Sequence, residues 1–300
     1  MKTLTILDGG MGRELQDIGA PFSQPLWSAQ ALIESPEHVH QAHQNFIDAG
    51  AEIIITNSYA CVPFHLGHEL YLSSGFKLAR DAAIIARSVV ENNSTKSVIV
   101  AGAIPPPLGS YRPDLFEKEQ AIEIMSTLFK AQDPYVDIWM AETISSLEEF
   151  EATYSVLKQS TKDSYYAFSL QDEAIECATL RSGQSVLEMV KLACSMKVKG
   201  LFFNCSVPEA MDQAIRDAKQ VIEQQDSDIT IGVYANNFMP IVSGHEANGT
   251  LQSMRELSPA DYLLYAKRWH QGGADVIGGC CGIGPDHIKA LSDWKKNIAG

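Results

Sequence analysis

Glu52-Ile53-Ile54-Ile55-Thr56 reads as a short strand that is apolar on both faces, and it leaves through the polar run Asn57-Ser58-Tyr59. A strand with no polar face must be covered by other elements on both sides, as happens in parallel sheets flanked by helices. Working outward, residues 36–49 carry helical spacing up to Gly50, and residues 76–90 read as the next helix. The local pattern is therefore helix, buried strand, helix, which requires crossover connections.

The same unit recurs along the chain at a period of roughly forty residues. Strands are expected at 3–7, 52–56, 97–101, 136–140, 165–169, 200–203, 230–234 and 275–277. The helices beyond the first two are expected at 117–129, 146–158, 185–196, 208–223, 259–271 and 285–297. Eight such units in 300 residues suit a single (β/α)8 TIM barrel over 1–300 better than an open doubly wound sheet, which uses fewer strands at this length. No composition break marks a domain boundary, and no segment is of low complexity.

Composition narrows the function. With 45% hydrophobic residues the chain can bury an ample core, and its net charge of −14 argues against nucleic acid or an anionic membrane surface as partner. No apolar run approaches the roughly 18 residues of a membrane span, and Met1-Lys2-Thr3-Leu4-Thr5 lacks a signal-peptide core; a cytoplasmic protein is expected. The six cysteines are too sparse for a disulfide framework.

In a barrel of this kind the chemistry lies on the loops that follow the strands. Asp8 follows the first strand, in Asp8-Gly9-Gly10-Met11-Gly12. Asn57 and Tyr59 follow the second, Glu142-Thr143 the fourth and Asn204-Cys205-Ser206 the sixth, while Gly278-Gly279-Cys280-Cys281-Gly282 follows the eighth. The glycine run after the first strand is neither a Walker loop nor a complete dinucleotide fingerprint, so an ordinary strand-to-helix turn is expected there.

Barrel closure would bring Cys205, Cys280 and Cys281 to one rim. Three thiolates around an open fourth position describe a catalytic zinc site, whereas structural sites close all four positions. The competing readings are a vicinal disulfide, apolar packing of small side chains, or a redox sensor without turnover. Cys61, Cys177 and Cys194 lack strand-end placement and receive no role. A zinc trithiolate is electron-rich and therefore poorly suited to activating water, but a thiol in its fourth position is deprotonated while remaining nucleophilic. Methyl transfer to sulfur fits that chemistry. Asp8 and Glu142 could hold the ammonium of an amino acid carrying the thiol, and Trp27, Tyr59 and Tyr111 could face a cationic donor. His65, His68 and His245 read as loop histidines with no metal spacing.

The chain resembles the homocysteine S-methyltransferase family. Asp8-Gly9-Gly10-Met11-Gly12-Arg13-Glu14-Leu15, Glu142-Thr143-Ile144-Ser145-Ser146-Leu147-Glu148-Glu149, Asn204-Cys205 and Gly278-Gly279-Cys280-Cys281-Gly282 look like its successive blocks, in order, over nearly the whole chain. The resemblance implies Zn2+ bound by Cys205, Cys280 and Cys281, and homocysteine contacted by Asp8 and Glu142, with Thr143 and Trp27 among the substrate-binding residues. It also implies Asn236 as a fourth ligand when no thiol is bound. Leu26-Trp27-Ser28-Ala29-Gln30-Ala31-Leu32 looks like the corresponding block of members using S-methylmethionine or S-adenosylmethionine. The chain stops before any folate or cobalamin module, and it lacks the extension of the betaine enzymes, so a monomer or dimer is expected. The loop Pro105 to Pro113 is shorter than in the sulfonium-using members, which leaves the donor side less constrained than the acceptor side.

Overall fold

A computed structural model describes residues 3–93, 97–172, 177–239 and 254–299. Its strands are β1 (Thr5–Ile6), β2 (Ile53–Ile55), β3 (Ile99–Ile104), β4 (Ile138–Ile144), β5 (Ser164–Ser169), β6 (Gly200–Asn204), β7 (Thr230–Tyr234) and β8 (Val276–Ile277). Its helices are α1 (Met11–Asp17), α2 (Ser28–Glu34), α3 (Pro36–Ala49), α4 (Pro63–Leu66), α5 (His68–Asn92), α6 (Lys118–Gln132), α7 (Leu147–Leu157), α8 (Val186–Met196), α9 (Pro208–Gln224), α10 (Pro259–Gly272) and α11 (Pro285–Ala299).

All eight strands pair in parallel in the order β1-β8-β7-β6-β5-β4-β3-β2. A parallel bridge between Leu7 and Ile53 joins the two outer strands, and the Asp8 amide donates to the Ile53 carbonyl at 3.0 Å. The sheet thus closes on itself, as the eight strand–helix units predict. Alternation along each strand divides the core in two. Leu7, Ala101, Met140, Ala167, Phe202, Tyr234 and Val276 fill the barrel interior, while a much larger set, including Ile6, Ile54, Val100, Trp139, Phe168 and Val233, packs outward against the helices.

The observed elements differ from the sequence reading at informative places. The helix expected at 76–90 begins at His68. Ser73-Ser74-Gly75 weakens helix propensity in its first turns, yet burial of Leu78, Ala79, Ala82 and Ala83 carries the helix through. The strands expected at 97–101 and 136–140 run on to Ile104 and Ile144. Glu142 and Thr143 consequently belong to β4 itself, not to the loop after it. Ser146 then caps α7 by accepting from the Glu149 amide, and Glu149 reaches back to the Ser145 amide at 2.7 Å. The block Ser146-Leu147-Glu148-Glu149 is thus a helix start.

Packing between β3 and β4 leaves no room at Gly102. A β-carbon there would stand 2.7 Å from the Trp139 ring, which is fully buried and packs against Phe129 with ring centres 5.1 Å apart. Gly102→Ala is expected to cost about 1–3 kcal/mol of stability through overpacking, measurable as a shifted denaturant midpoint with little change in slope.

Candidate active site

The C-terminal ends of the strands open into a cavity of about 270 Å³. Its wall includes Asp8, Trp27, Tyr59, Glu142, Cys205, Tyr234, Cys280 and Cys281, so residues from the ends of six strands, β1, β2, β4, β6, β7 and β8, meet in one space. The turn carrying the paired cysteines is tied on both sides. The Gly279 amide donates to the Asp8 carbonyl at 2.9 Å and the Cys280 amide to the Ala235 carbonyl at 2.9 Å, while the Asn237 amide donates to the Cys281 carbonyl at 3.0 Å. Tyr262 of α10 adds a hydroxyl bond to the Gly278 carbonyl at 2.6 Å.

Two glycines make this closeness feasible. A β-carbon on Gly10 would stand 2.4 Å from the Cys280 carbonyl oxygen, and Gly282 has a φ of 81°, where a side chain is strained. The run Asp8-Gly9-Gly10 therefore serves as the surface against which the cysteine turn lies.

The sulfurs of Cys280 and Cys281 are 3.9 Å apart. Hydrogen bonds with Cys205 and then Cys281, together with burial, push the Cys280 thiol well above its usual range, whereas the bond from Cys280 lowers Cys281. Cys280 donates to the Cys281 sulfur, and with Cys205 the three thiols form one hydrogen-bonded group. All six cysteines are free, and Cys61, Cys177 and Cys194 lie outside the cavity wall.

Among the described residues, no group of three or more His, Cys, Asp or Glu side chains already stands in metal-holding geometry. The donor set itself fits a thiophilic tetrahedral ion. The 3.9 Å sulfur separation is close to the roughly 3.8 Å edge of a tetrahedron with zinc–sulfur bonds of about 2.3 Å, and the cavity leaves a fourth direction open. Cys205, already hydrogen-bonded to Cys280, would complete the set.

Two carboxylates face the same space. Asp8 is buried, and its Oδ2 accepts from the Ile55 amide at 2.8 Å. Burial raises its carboxyl well above the usual range, and the negative charge of Glu142 adds to this. Glu142 is pushed up to about 7 by burial, opposed only by the Tyr234 hydroxyl, which donates to its Oε1 at 3.2 Å. Two buried acids without a cation between them are costly to ionise together, so the cavity favours a positively charged ligand.

Strand-end strain accompanies the site. Among the described residues, six other than glycine have positive φ, and four of them, Trp27 (49°), Tyr111 (66°), Thr143 (58°) and Cys205 (47°), belong to this rim. Each such conformation costs on the order of 1–3 kcal/mol, and a β-branched threonine there is a true outlier. Glu142 shares the inward face of β4 with Met140, and a register shift of β4 against β5 between Ala141 and Ile144 leaves Ile144 packed on the outer side of the barrel.

Trp27 is half-buried on the cavity wall, edge-on to Phe22 at 5.8 Å and to His65 at 6.3 Å. Tyr111 also lines the wall, with the Arg181 guanidinium 5.2 Å from its ring centre. Thr143, expected as a substrate contact, is instead fully buried and absent from the wall. Its left-handed backbone turns the hydroxyl toward Cys205. Asn236 is also buried behind the wall; its Oδ1 accepts from the Phe238 amide at 3.2 Å, and its Nδ2 has no partner.

His65 departs from the loop reading. It lies in the short helix α4, buried on the cavity wall among Trp27, Tyr59 and Phe64. Its Nδ1 is 3.3 Å from the Pro25 carbonyl, which only accepts, so Nδ1 carries the hydrogen. Burial lowers the ring to about 4, and it stays neutral. Pro63 at the start of α4 was the available signal for this helix. His68 begins α5, and His245 lies outside the described residues.

Known proteins share this fold. A family model described as homocysteine S-methyltransferase matches residues 5–294. Homocysteine S-methyltransferase 3 of Arabidopsis thaliana is 28% identical over 323 aligned positions, covering 96% of this chain and 88% of that protein. Homocysteine S-methyltransferase of Escherichia coli (strain K12) is 27% identical over 312 positions, covering 96% and 94%. The metallated form of the homocysteine methyltransferase MmuM from Escherichia coli superposes with a TM-score of 0.79 at 26% identity, covering 98% of this chain and 96% of that one. Since the match runs from β1 through β8 and takes in every strand end that lines the cavity, the chain belongs to the homocysteine S-methyltransferase family.

Proposed function

We propose that residues 1–300 act as one homocysteine-binding barrel that moves a methyl group from a sulfonium donor, S-methylmethionine or S-adenosylmethionine, to the sulfur of homocysteine, forming methionine. The observation that carries this reading is the meeting of three thiols and two buried carboxylates in one cavity. Cys205, Cys280 and Cys281 would hold Zn2+, and a solved relative of this family is titled a metallated form. When bound, the ion supplies Lewis acidity that keeps a substrate thiol deprotonated at neutral pH.

The protein's own groups position the reactants. Asp8 and Glu142 offer negative charge to the homocysteine ammonium, and Tyr234 steadies Glu142 through its 3.2 Å bond. Trp27 and its aromatic neighbours offer π faces to the cationic donor. The donor's sulfur–methyl bond breaks as the new one forms, and its electron pair neutralises the sulfonium, so no general acid or base is required. Asn236 could serve as the ligand in the absence of thiol only through the lone pair not taken by Phe238. A reducing cytoplasmic compartment suits six free thiols. Among the described residues, no helix is long and apolar enough to cross a membrane.

Zinc-loaded protein incubated with homocysteine and, separately, S-methylmethionine, S-adenosylmethionine or betaine should form methionine with a sulfonium donor and not with betaine. Metal-replete protein that forms none with either sulfonium overturns the reading.

A further inference from the structure

We infer that Thr143 and Asn204 are positioning residues for Cys205, holding its sulfur where a metal ion can be captured and tempering the charge it donates. The inference rests on the zinc reading above and assigns these two side chains a role separate from substrate contact.

The hydrogen bonds form a closed set. Asn204 Oδ1 accepts from the Thr143 amide at 3.1 Å, and Asn204 Nδ2 donates to Thr143 Oγ1 at 3.1 Å. Both side chains then point a donor at the same atom: Thr143 Oγ1 and Asn204 Nδ2 each lie 3.5 Å from Cys205 Sγ. The threonine has one hydroxyl hydrogen, and with Nδ2 already donating to its oxygen that hydrogen is free for the sulfur. Thr143 and Asn204 are fully buried, so water does not compete. Tyr59, bonded to Ser110 at 2.6 Å, also hydrogen-bonds Thr143 and links the set to the cavity wall.

A purely structural pair would need only to satisfy each other. Here Thr143 and Cys205 are both held in left-handed backbone conformations, with φ of 58° and 47°, and both distortions serve to bring the hydroxyl and the sulfur together across the ends of β4 and β6. Donors aimed at a sulfur strengthen when it becomes a thiolate, because the bonds are then charge-assisted. They also withdraw electron density from it, as outer-shell partners do at metal sites generally.

The test uses the purified full chain, with zinc affinity measured by competition against a chromophoric chelator and the sulfur-to-metal charge-transfer band recorded after Co2+ substitution. Thr143→Val, which removes the hydroxyl and keeps the shape, should weaken zinc binding by roughly 10- to 100-fold, and Thr143→Ser should restore most of it. The Co2+ band should move to longer wavelength in Thr143→Val, since a thiolate relieved of a hydrogen bond gives up charge more easily. A folded Thr143→Val protein with wild-type affinity and an unmoved band overturns the inference. Should that variant fail to fold, Asn204→Asp, which keeps the acceptor for the Thr143 amide but loses the donor to sulfur, is read by the same two measurements and the same criterion. Wild-type protein that takes up no zinc refutes the zinc reading and this inference together, whereas zinc-binding wild type with unaffected variants refutes this inference alone.

Discussion

Cys280→Ala is expected to abolish both metal retention and methionine formation while leaving the barrel folded. The backbone of residue 280 is anchored by its amide to Ala235 and by its carbonyl to Ile283, at 2.9 and 3.0 Å, and alanine keeps both bonds. What is lost is one of three donors, and the loss should exceed the roughly 10- to 100-fold that removal of an outer-shell partner costs. Metal content per chain and product formation, measured on the same preparation, check it. A metal-free variant with full turnover would sink the zinc reading. Metal-free wild type that instead forms a reversible Cys280–Cys281 disulfide under mild oxidation would favour the redox-sensing alternative.

Glu142→Gln should separate substrate binding from metal binding. Zinc content should stay at wild-type level, while the KM for homocysteine rises roughly 10- to 100-fold, the equivalent of about 1.5–3 kcal/mol for a lost charge-assisted bond. The sign of the pH dependence follows from burial. The carboxyl titrates at about 7 in the folded protein against a usual 4.5, so the folded state holds an extra proton between those values. The contribution of Glu142 to ligand-free stability is therefore most favourable below about 4.5 and is lost as pH rises through about 7. Glu149, also raised to about 7 by burial, contributes in the same direction, so Glu142→Gln should remove only part of the slope. A bound ammonium reverses the preference, because it favours the ionised carboxylate. The KM for homocysteine should fall as pH rises through about 7, with a shallower dependence in the variant. An unchanged KM in Glu142→Gln would remove this residue from the acceptor site.

The alternation of buried strands and amphipathic helices was legible because parallel strands covered on both faces leave an unmistakable apolar pattern, seen best in Ile53-Ile54-Ile55. Cys205, Cys280, Cys281, Asp8 and Glu142 were legible as candidates because each stands at or beside the end of such a strand, and closure of the sheet converts that shared position into spatial proximity. Less visible were α1, α2 and α4, short helices in the βα segments after β1 and β2, where Pro21, Pro25 and Gly19 read as loop punctuation. His65 was misplaced for the same reason: one helical turn after Pro63 is too short to show a period.

The sequence by itself determined the architecture and the chemical inventory of this protein, since both follow from local patterns of burial and from residue types at strand ends. Tertiary structure alone decided where those groups point. The left-handed backbone at Thr143 and Cys205 brings the Thr143 hydroxyl to the Cys205 sulfur and leaves it off the cavity wall. Such conformations are disfavoured locally and persist only because surrounding contacts hold them, so no pattern in the residues themselves announces them.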